Sequence, residues 1–362
     1  MIKNRYDRII NSMKENNINQ IVVTDEWSIY YMTNVQFHTG HRMIALILSQ
    51  DKAPILYIHE MFPTEKLSED IIVKKWKDTD NYIQALYDDL ETDKVIGVDK
   101  FMEARYLIPL QDRGLAHPFV VGSFVIDRIR ALKDEKEIKL MENASRINDE
   151  TMIKIQEFIH TYKGDITEEL VKDKIAEYYA EQTDEGFSFS PIVGFGKNAA
   201  DPHHKIDNTK LQPKDCVVLD IGCYKDKYAS DMTRTIFYKE VSDLHREIYE
   251  IVKEANLRAH AAVKPGVKAS TIDKIARDYI TEMGYGKYFT HRLGHFIGME
   301  VHEAGDISAS NDQILEVDNI FTIEPGIYIY DKNIGVRLEN IVIVEKEGAR
   351  SLNKISLDLK VL

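Results

Sequence analysis

The chain has 362 residues, 44% apolar and 30% charged, and its 60 acidic against 47 basic side chains give a formal net charge of −13. That composition excludes a disordered chain, and the acidic balance excludes a nucleic-acid binder that works through a basic surface. The longest apolar run, Met43 to Leu48, falls well short of the ~18 residues a membrane span needs, so a soluble, cytoplasmic protein of about two domains is expected, with no nucleic-acid or membrane partner.

The opening residues, Met1 through Asn19, mix charges with isolated apolar residues and do not read as a secretory signal. Within them Tyr6, Ile9, Ile10 and Met13 share a helical face, and a β-branched run follows at Ile21 to Thr24. Ala45 to Leu48, Pro54 to Ile58 and Val95 to Val98 read as strands, and Ile83, Leu86, Tyr87 and Leu90 as another helical face. This alternation predicts a small α/β domain over residues 1–128. In the remainder, 129–362, Asp134 with Glu137 three residues on matches a capping box and opens a helix running to Ile159. A second helix covers Thr167 to about Gln182, and strands follow at Cys216–Cys223 and Tyr228–Tyr238. The order then repeats. Ser242 caps a helix bearing Leu244, Ile248, Ile251 and Ala255; Ser270 caps another bearing Ile272, Ile275, Tyr279 and Met283, which Gly284 stops. Strands Ile320–Tyr330 and Val336–Val344 complete the second set. Two helices and two strands, taken twice, predict an α+β domain with an internal pseudo-twofold repeat closing around one site. Cys216 and Cys223 would stand on the order of 20 Å apart along a strand, beyond any disulfide. Without a CxxC they make a poor zinc site, so both are expected to be small buried hydrophobes.

The chemistry lies in the predicted strands. A turn centred on Lys225 and Asp226 places Asp220 directly opposite Asp231, where side chains stand about 4.5–5.5 Å apart and like charges are destabilising. A carboxylate among Val217, Val218, Leu219 and Ile221 is also costly to bury unpaired. A bound cation removes both costs; the competing reading has one Asp facing solvent or paired with Arg234. Glu324 in FTIEPG and Glu339 in VRLENIVIV, with Arg337 on its own face, repeat the pattern at nearly the same offset. Five histidines cluster in two segments: His203 and His204, then His291, His295 and His302, with Gly294 and Gly298 adding little bulk around His295. Spacing alone does not say which of these binds metal. An oxygen-rich set with one or two imidazoles suits manganese, cobalt, iron or zinc. Four carboxylates exceed the need of one catalytic ion and fit two ions ~3.5–4 Å apart.

The order Asp220, Asp231, His295, Glu324, Glu339, set in LDIGCYKDKYASDMTRT, HRLGHFIGMEVHE, TIEPGIYI and GVRLENIVIV, resembles the metal set of the pita-bread metallopeptidases. Residues Ile21 to Thr33 resemble the creatinase/prolidase N-terminal domain, so the likeness spans nearly the whole chain. Asn340 and Phe296 depart from it, standing where the family often has Asp and Gly. The resemblance implies a pita-bread fold for residues 129–362 and two divalent ions, manganese first, held by Asp220, Asp231, His295, Glu324 and Glu339. It further implies that a hydroxide bridging the ions attacks the carbonyl of an Xaa-Pro bond, with Glu324 both ligand and proton shuttle. His203 and His302 match histidines that contact substrate and stabilise the tetrahedral intermediate, and His291 and Arg337 match further substrate-binding residues. The implied substrate is a small peptide with proline second, most simply a dipeptide, and the implied assembly is a homodimer. Removal of the first residue from longer Xaa-Pro peptides, as in aminopeptidase P, is the alternative, and a non-catalytic binding protein of the same fold a lesser one. A dipeptidase must also read the substrate's C-terminal carboxylate. His38, His41 and Arg42 are candidates for that, against the simpler reading of a solvated polar loop.

Overall fold

The computed structural model describes residues 3–362, and the chain divides between Arg130 and Ala131 into two compact units. In the first unit a six-stranded mixed sheet runs in the order Ile72–Trp76, Ile55–His59, Ala45–Ser49, Gln20–Val23, Ile96–Val98, Val120–Val121. Gln20–Val23 and Ala45–Ser49 lie at its centre and are buried along their whole length. They therefore read as continuous apolar runs rather than as alternation. Helix Lys3–Glu15 buries Ile9, Ile10 and Met13, the face its spacing predicts. The edge strand Ile72–Trp76 went unread because it is mostly exposed and carries Lys74 and Lys75, which also protects an edge from pairing with another chain.

The second unit contains the predicted repeat. Helices Glu135–Thr161 and Glu168–Ala180 accompany the antiparallel sheet of Ile192–Phe195, Cys216–Ile221 and Met232–Phe237. Helices Asp243–Ala262 and Ala269–Glu282 accompany Ile320–Ile323, Asn340–Glu345 and Gly348–Ser351. The capping box of Asp134 and Glu137 forms, and Ser242 caps its helix. Ser270 does not cap. The position belongs to Lys268, and the Ser270 hydroxyl in the first turn instead donates to Asp312 at 2.8 Å. The same helix stops at Gly284, whose φ of 88° is one glycine adopts without strain. Met283 is exposed, and the buried face runs through Ile272, Ala276 and Ile280. Both cysteines are buried free thiols. Among the described residues, no helix is long and apolar enough to cross a membrane.

Two expectations about the strands are corrected. Three predicted strands are broken, into Tyr228–Ala229 and Met232–Phe237, Ile320–Ile323 and Gly326–Ile329, and Ile334–Arg337 and Asn340–Glu345. Asp231, Glu324 and Glu339 sit in the three gaps. The register of the first hairpin also differs. Its turn is Asp226–Lys227, both at positive φ (52° and 69°), as a two-residue hairpin turn requires. Thr233, not Asp231, therefore stands opposite Asp220. The displacement is two residues, so Asp231 keeps the face of Asp220; a slip of one would have turned it away. In the second hairpin, Ile323 pairs with Asn340 and Gly326 with Arg337. That continuous register puts Glu324 opposite Glu339, so the direct opposition expected of the aspartates belongs to the glutamates.

Candidate metal centre

Asp220 and the three gap residues converge on a cavity of about 480 Å³ lined from both halves of the second unit. Asp231, His295 and Glu339 are buried, and each offers a ligand atom within 4.8 Å of the others. His295 Nε2 lies 3.6 Å from Asp231 Oδ2 and 3.4 Å from Glu324 Oε1. Arg337 Nη2 holds Asp220 Oδ2 at 2.6 Å. His295 reaches the cluster because its strand lies hard against Thr322: a Cβ on Gly294 would come 1.9 Å from the Thr322 carbonyl oxygen. Two threonines orient the two glutamates in the same way. Thr322 Oγ1 accepts from the His295 amide (3.0 Å) and donates to Glu324 (3.2 Å). Thr233 Oγ1 accepts from Arg337 Nε (3.0 Å) and donates to Glu339 (2.7 Å). Such outer contacts fix ligand direction and basicity in metal sites.

The electrostatics fit a cation. Burial, then the charges of Glu339, Asp220 and Glu324, push the Asp231 carboxyl well above its ordinary range. Burial, then Glu324 and Asp220, do the same to Glu339. Glu324 is pushed to about 7, by burial first and by Asp220, with Arg337 opposing. His295 is driven down to about 3 by burial and by His302, so its ring is neutral and able to ligate. Asp220 Oδ1 and Asp231 Oδ1 are buried without a hydrogen-bond partner, a cost of roughly 1–3 kcal/mol each that a divalent ion would remove. Carboxylates with one imidazole are the donor set that hard and borderline divalent ions take.

All nine predicted site residues line this one cavity: His203, Asp220, Asp231, His291, His295, His302, Glu324, Arg337 and Glu339. The His302 ring stands 4.2 Å from that of His295, edge to face. Two of the nine are less free than their predicted substrate roles suggest. His291 Nδ1 donates to the Arg292 carbonyl (2.7 Å), and its Nε2 accepts from the Tyr328 hydroxyl (3.1 Å). Burial, then Arg337, drives this imidazole down to about 4. His291 therefore presents a neutral ring wall, with both nitrogens engaged. Arg337 is buried and divides its donors among Asp220, Thr233 and Tyr328, which makes it a holder of neighbouring side chains. His38, His41 and Arg42 belong to the first unit, where Arg42 is taken by Asp78 at 3.0 and 3.2 Å.

Sequence reasoning missed Arg292, which also lines the cavity and lies only 3.7 Å from Asp306. It stands next to His291 in an already singled-out segment, so position could have found it. Thr233 and Thr322, each two residues from a candidate ligand and hence on its face, carried the same kind of signal. Tyr328 carried none.

The profile of metallopeptidase family M24 matches residues 139–346. The chain belongs to this family. The creatinase/prolidase N-terminal domain matches residues 5–132, ahead of the M24 pita-bread domain. Among M24 relatives, the Xaa-Pro dipeptidase of Pyrococcus horikoshii is 33% identical over 360 residues, covering 99% of each chain. A prolidase from Thermococcus sibiricus superposes with a TM-score of 0.91 at 29% identity, covering 100% of this chain and 99% of that one. An X-Pro aminopeptidase from Thermotoga maritima superposes at 0.81 with 25% identity, covering 97% and 100%. The M24 fold is thus common to both activities.

Proposed function

We propose that this metallopeptidase is an Xaa-Pro dipeptidase, with residues 129–362 its catalytic domain. The observation that carries the proposal is the convergence of Asp231, His295 and Glu339 on a cavity of dipeptide size whose wall also holds Arg292, in a chain matched along its length by dipeptidases. Asp220, Asp231, His295, Glu324 and Glu339 hold two divalent ions, manganese before cobalt, iron or zinc. Two bound ions supply Lewis acidity at the scissile carbonyl and lower the pKa of water.

The chain's own side chains supply the rest. Glu324, opposite Glu339 and oriented by Thr322, carries the proton between water and the leaving amine. His203 and His302 face the cavity from two loops and donate to the oxyanion as it develops, where preorganised donors count most. His291 bounds the cavity with its ring, and Arg337 fixes Asp220. Proline is a distinctive substrate because its amide has no N–H to offer a peptidase that binds substrate as a strand. Two buried free thiols suit a reducing cytoplasm. The homodimer proposed from the family resemblance is checked by light scattering.

Hydrolysis of Ala-Pro that chelator abolishes and manganese restores is the expected result. Faster cleavage of Ala-Pro-Ala would turn the reading to aminopeptidase P, and no cleavage of either with any divalent ion would remove it. Arg292 is assigned to the substrate carboxylate. Arg292→Ala is expected to raise KM for Ala-Pro roughly 10–100-fold, the weight of one charged hydrogen bond, while leaving cleavage of Ala-Pro amide nearly unchanged. Equal losses on both substrates would exclude that assignment.

A further inference from the structure

We propose that Glu168 is a positioning residue for catalysis, acting through the loop that carries His203; the inference rests on the role given to His203 above. Glu168 opens the helix Glu168–Ala180 and has no exposed surface. A carboxylate so placed needs every oxygen satisfied, and here the end of the strand Ile192–Phe195 and the loop that follows it supply all the partners. Oε1 accepts from the Phe195 amide at 2.9 Å and Asn198 Nδ2 at 3.0 Å. Oε2 accepts from His204 Nε2 at 2.6 Å and the Asp207 amide at 3.2 Å. The backbone adds bonds in the opposite sense, from the Glu168 amide to the Thr209 carbonyl and from the Glu169 amide to that of Asp207, each 3.2 Å.

The segment 195–209 is thus gathered onto one carboxylate, and His203 adjoins the His204 that Glu168 grips. Its far side is pressed against the strand of Arg337. A Cβ on Gly335 would come 1.7 Å from the Ala199 carbonyl oxygen. Within the segment, Asp201 Oδ1 accepts from the His203 amide at 2.9 Å. Glu168, His204 and Asp207 also have ligand-like spacing, but each Glu168 oxygen already accepts two N–H groups, so the cluster is a clamp and not a metal site. Neither Glu168 nor His204 lines the cavity. Their influence on the reaction passes through His203, and a misplacement of about 1 Å there can cost on the order of 100-fold in rate.

Glu168→Gln keeps the size but sets an amide donor against N–H groups. On Ala-Pro it is expected to lower kcat about 100-fold, with KM and manganese content little changed, since a donor used only in the transition state is what is lost. Added to His203→Ala, the same change should cost nothing further, as residues acting in one path are non-additive. His204→Gln, which keeps an N–H donor, should retain most of the activity that His204→Leu loses, and this pair decides the matter if Glu168→Gln does not fold. Parental kcat in Glu168→Gln, losses that multiply with those of His203→Ala, or a third manganese per chain that Glu168→Gln removes would overturn the inference. Unchanged kcat in His203→Ala alone would overturn it too, while leaving chelator-sensitive Ala-Pro cleavage, and hence the function, in place.

Discussion

Glu339→Gln is expected to move two measurements in opposite directions. In excess manganese, turnover of Ala-Pro falls roughly 1,000-fold or more, equivalent to about 4 kcal/mol of transition-state stabilisation. Stripped of metal at pH 8, the same variant melts above the stripped parent. Glutamine preserves the volume of Glu339 and the acceptor for Thr233 Oγ1, so packing is little disturbed. What it removes is a charge that two cations need and that, in their absence, faces Glu324 and Asp220 in a buried space. Relief of such an uncompensated buried charge stabilises the fold, and each kcal/mol regained is about 2–4 °C in a unit of this size. Calorimetry with chelator and the Ala-Pro assay in excess manganese supply both readings. A stripped variant melting below its stripped parent would contradict the electrostatic account, and parental turnover would take Glu339 out of the ligand set.

The metal-stripped protein is expected to lose stability as pH rises through neutrality, the reverse of what surface carboxylates produce. Asp231, Glu324 and Glu339 have folded-state values raised above the ordinary ~4 of an unfolded carboxyl. The folded state thus binds more protons than the unfolded one. The stability these groups contribute is complete below about pH 4 and is lost as pH climbs through their folded values, about 7 for Glu324, at about 1.4 kcal/mol per unit of displacement. The histidines act in the other sense. His295 and His291 are lowered to about 3 and about 4, so their contribution is complete above the ordinary ~6.5 and is lost as pH falls. Stability of the stripped protein should therefore peak on the acid side of neutrality. Manganese keeps the carboxylates ionised and removes the alkaline limb, so the melting difference between loaded and stripped protein widens with pH. A difference that stays constant from pH 6 to 8.5 would refute this.

The carboxylates of the candidate site were legible because a charged residue inside an apolar strand run is expensive and therefore conspicuous, which made Asp220, Asp231, Glu324 and Glu339, all of which line one cavity, stand out together. Their register was less so. Asp226 and Lys227 are not the Asn-Gly or Asp-Gly pair that announces a two-residue turn, and only the backbone shows both at positive φ. The gaps at Asp231, Glu324 and Glu339 were hidden because apolar residues resume within a few positions on either side of each, Ala229 and Met232, Ile323 and Ile327, and Leu338 and Ile341. Glu168 escaped for a different reason: two of its four donors are backbone amides, and a backbone amide looks the same beside every residue type. Helix starts fared well at Asp134 and Ser242, where the side chain itself makes the cap, and failed at Ser270, where Asp312 competes for the hydroxyl.

The two glutamates in the strand gaps also bear on how the protein is made. The Glu339 amide donates to the Thr233 carbonyl at 3.1 Å and the Glu324 amide to that of Leu293 at 2.8 Å, so the later glutamate is stitched to the half of the unit that carries the aspartates. During synthesis at ~5–20 residues per second, Asp220 and Asp231 leave the ribosome several seconds before Glu324 and Glu339 exist. In that interval they form a carboxylate pair with no imidazole and no glutamate to complete a cage. With the proposed ligands, uptake of a divalent ion is expected to follow the docking of the two halves in time, and in a refolding experiment it would report that the most distant contacts of this unit have already closed.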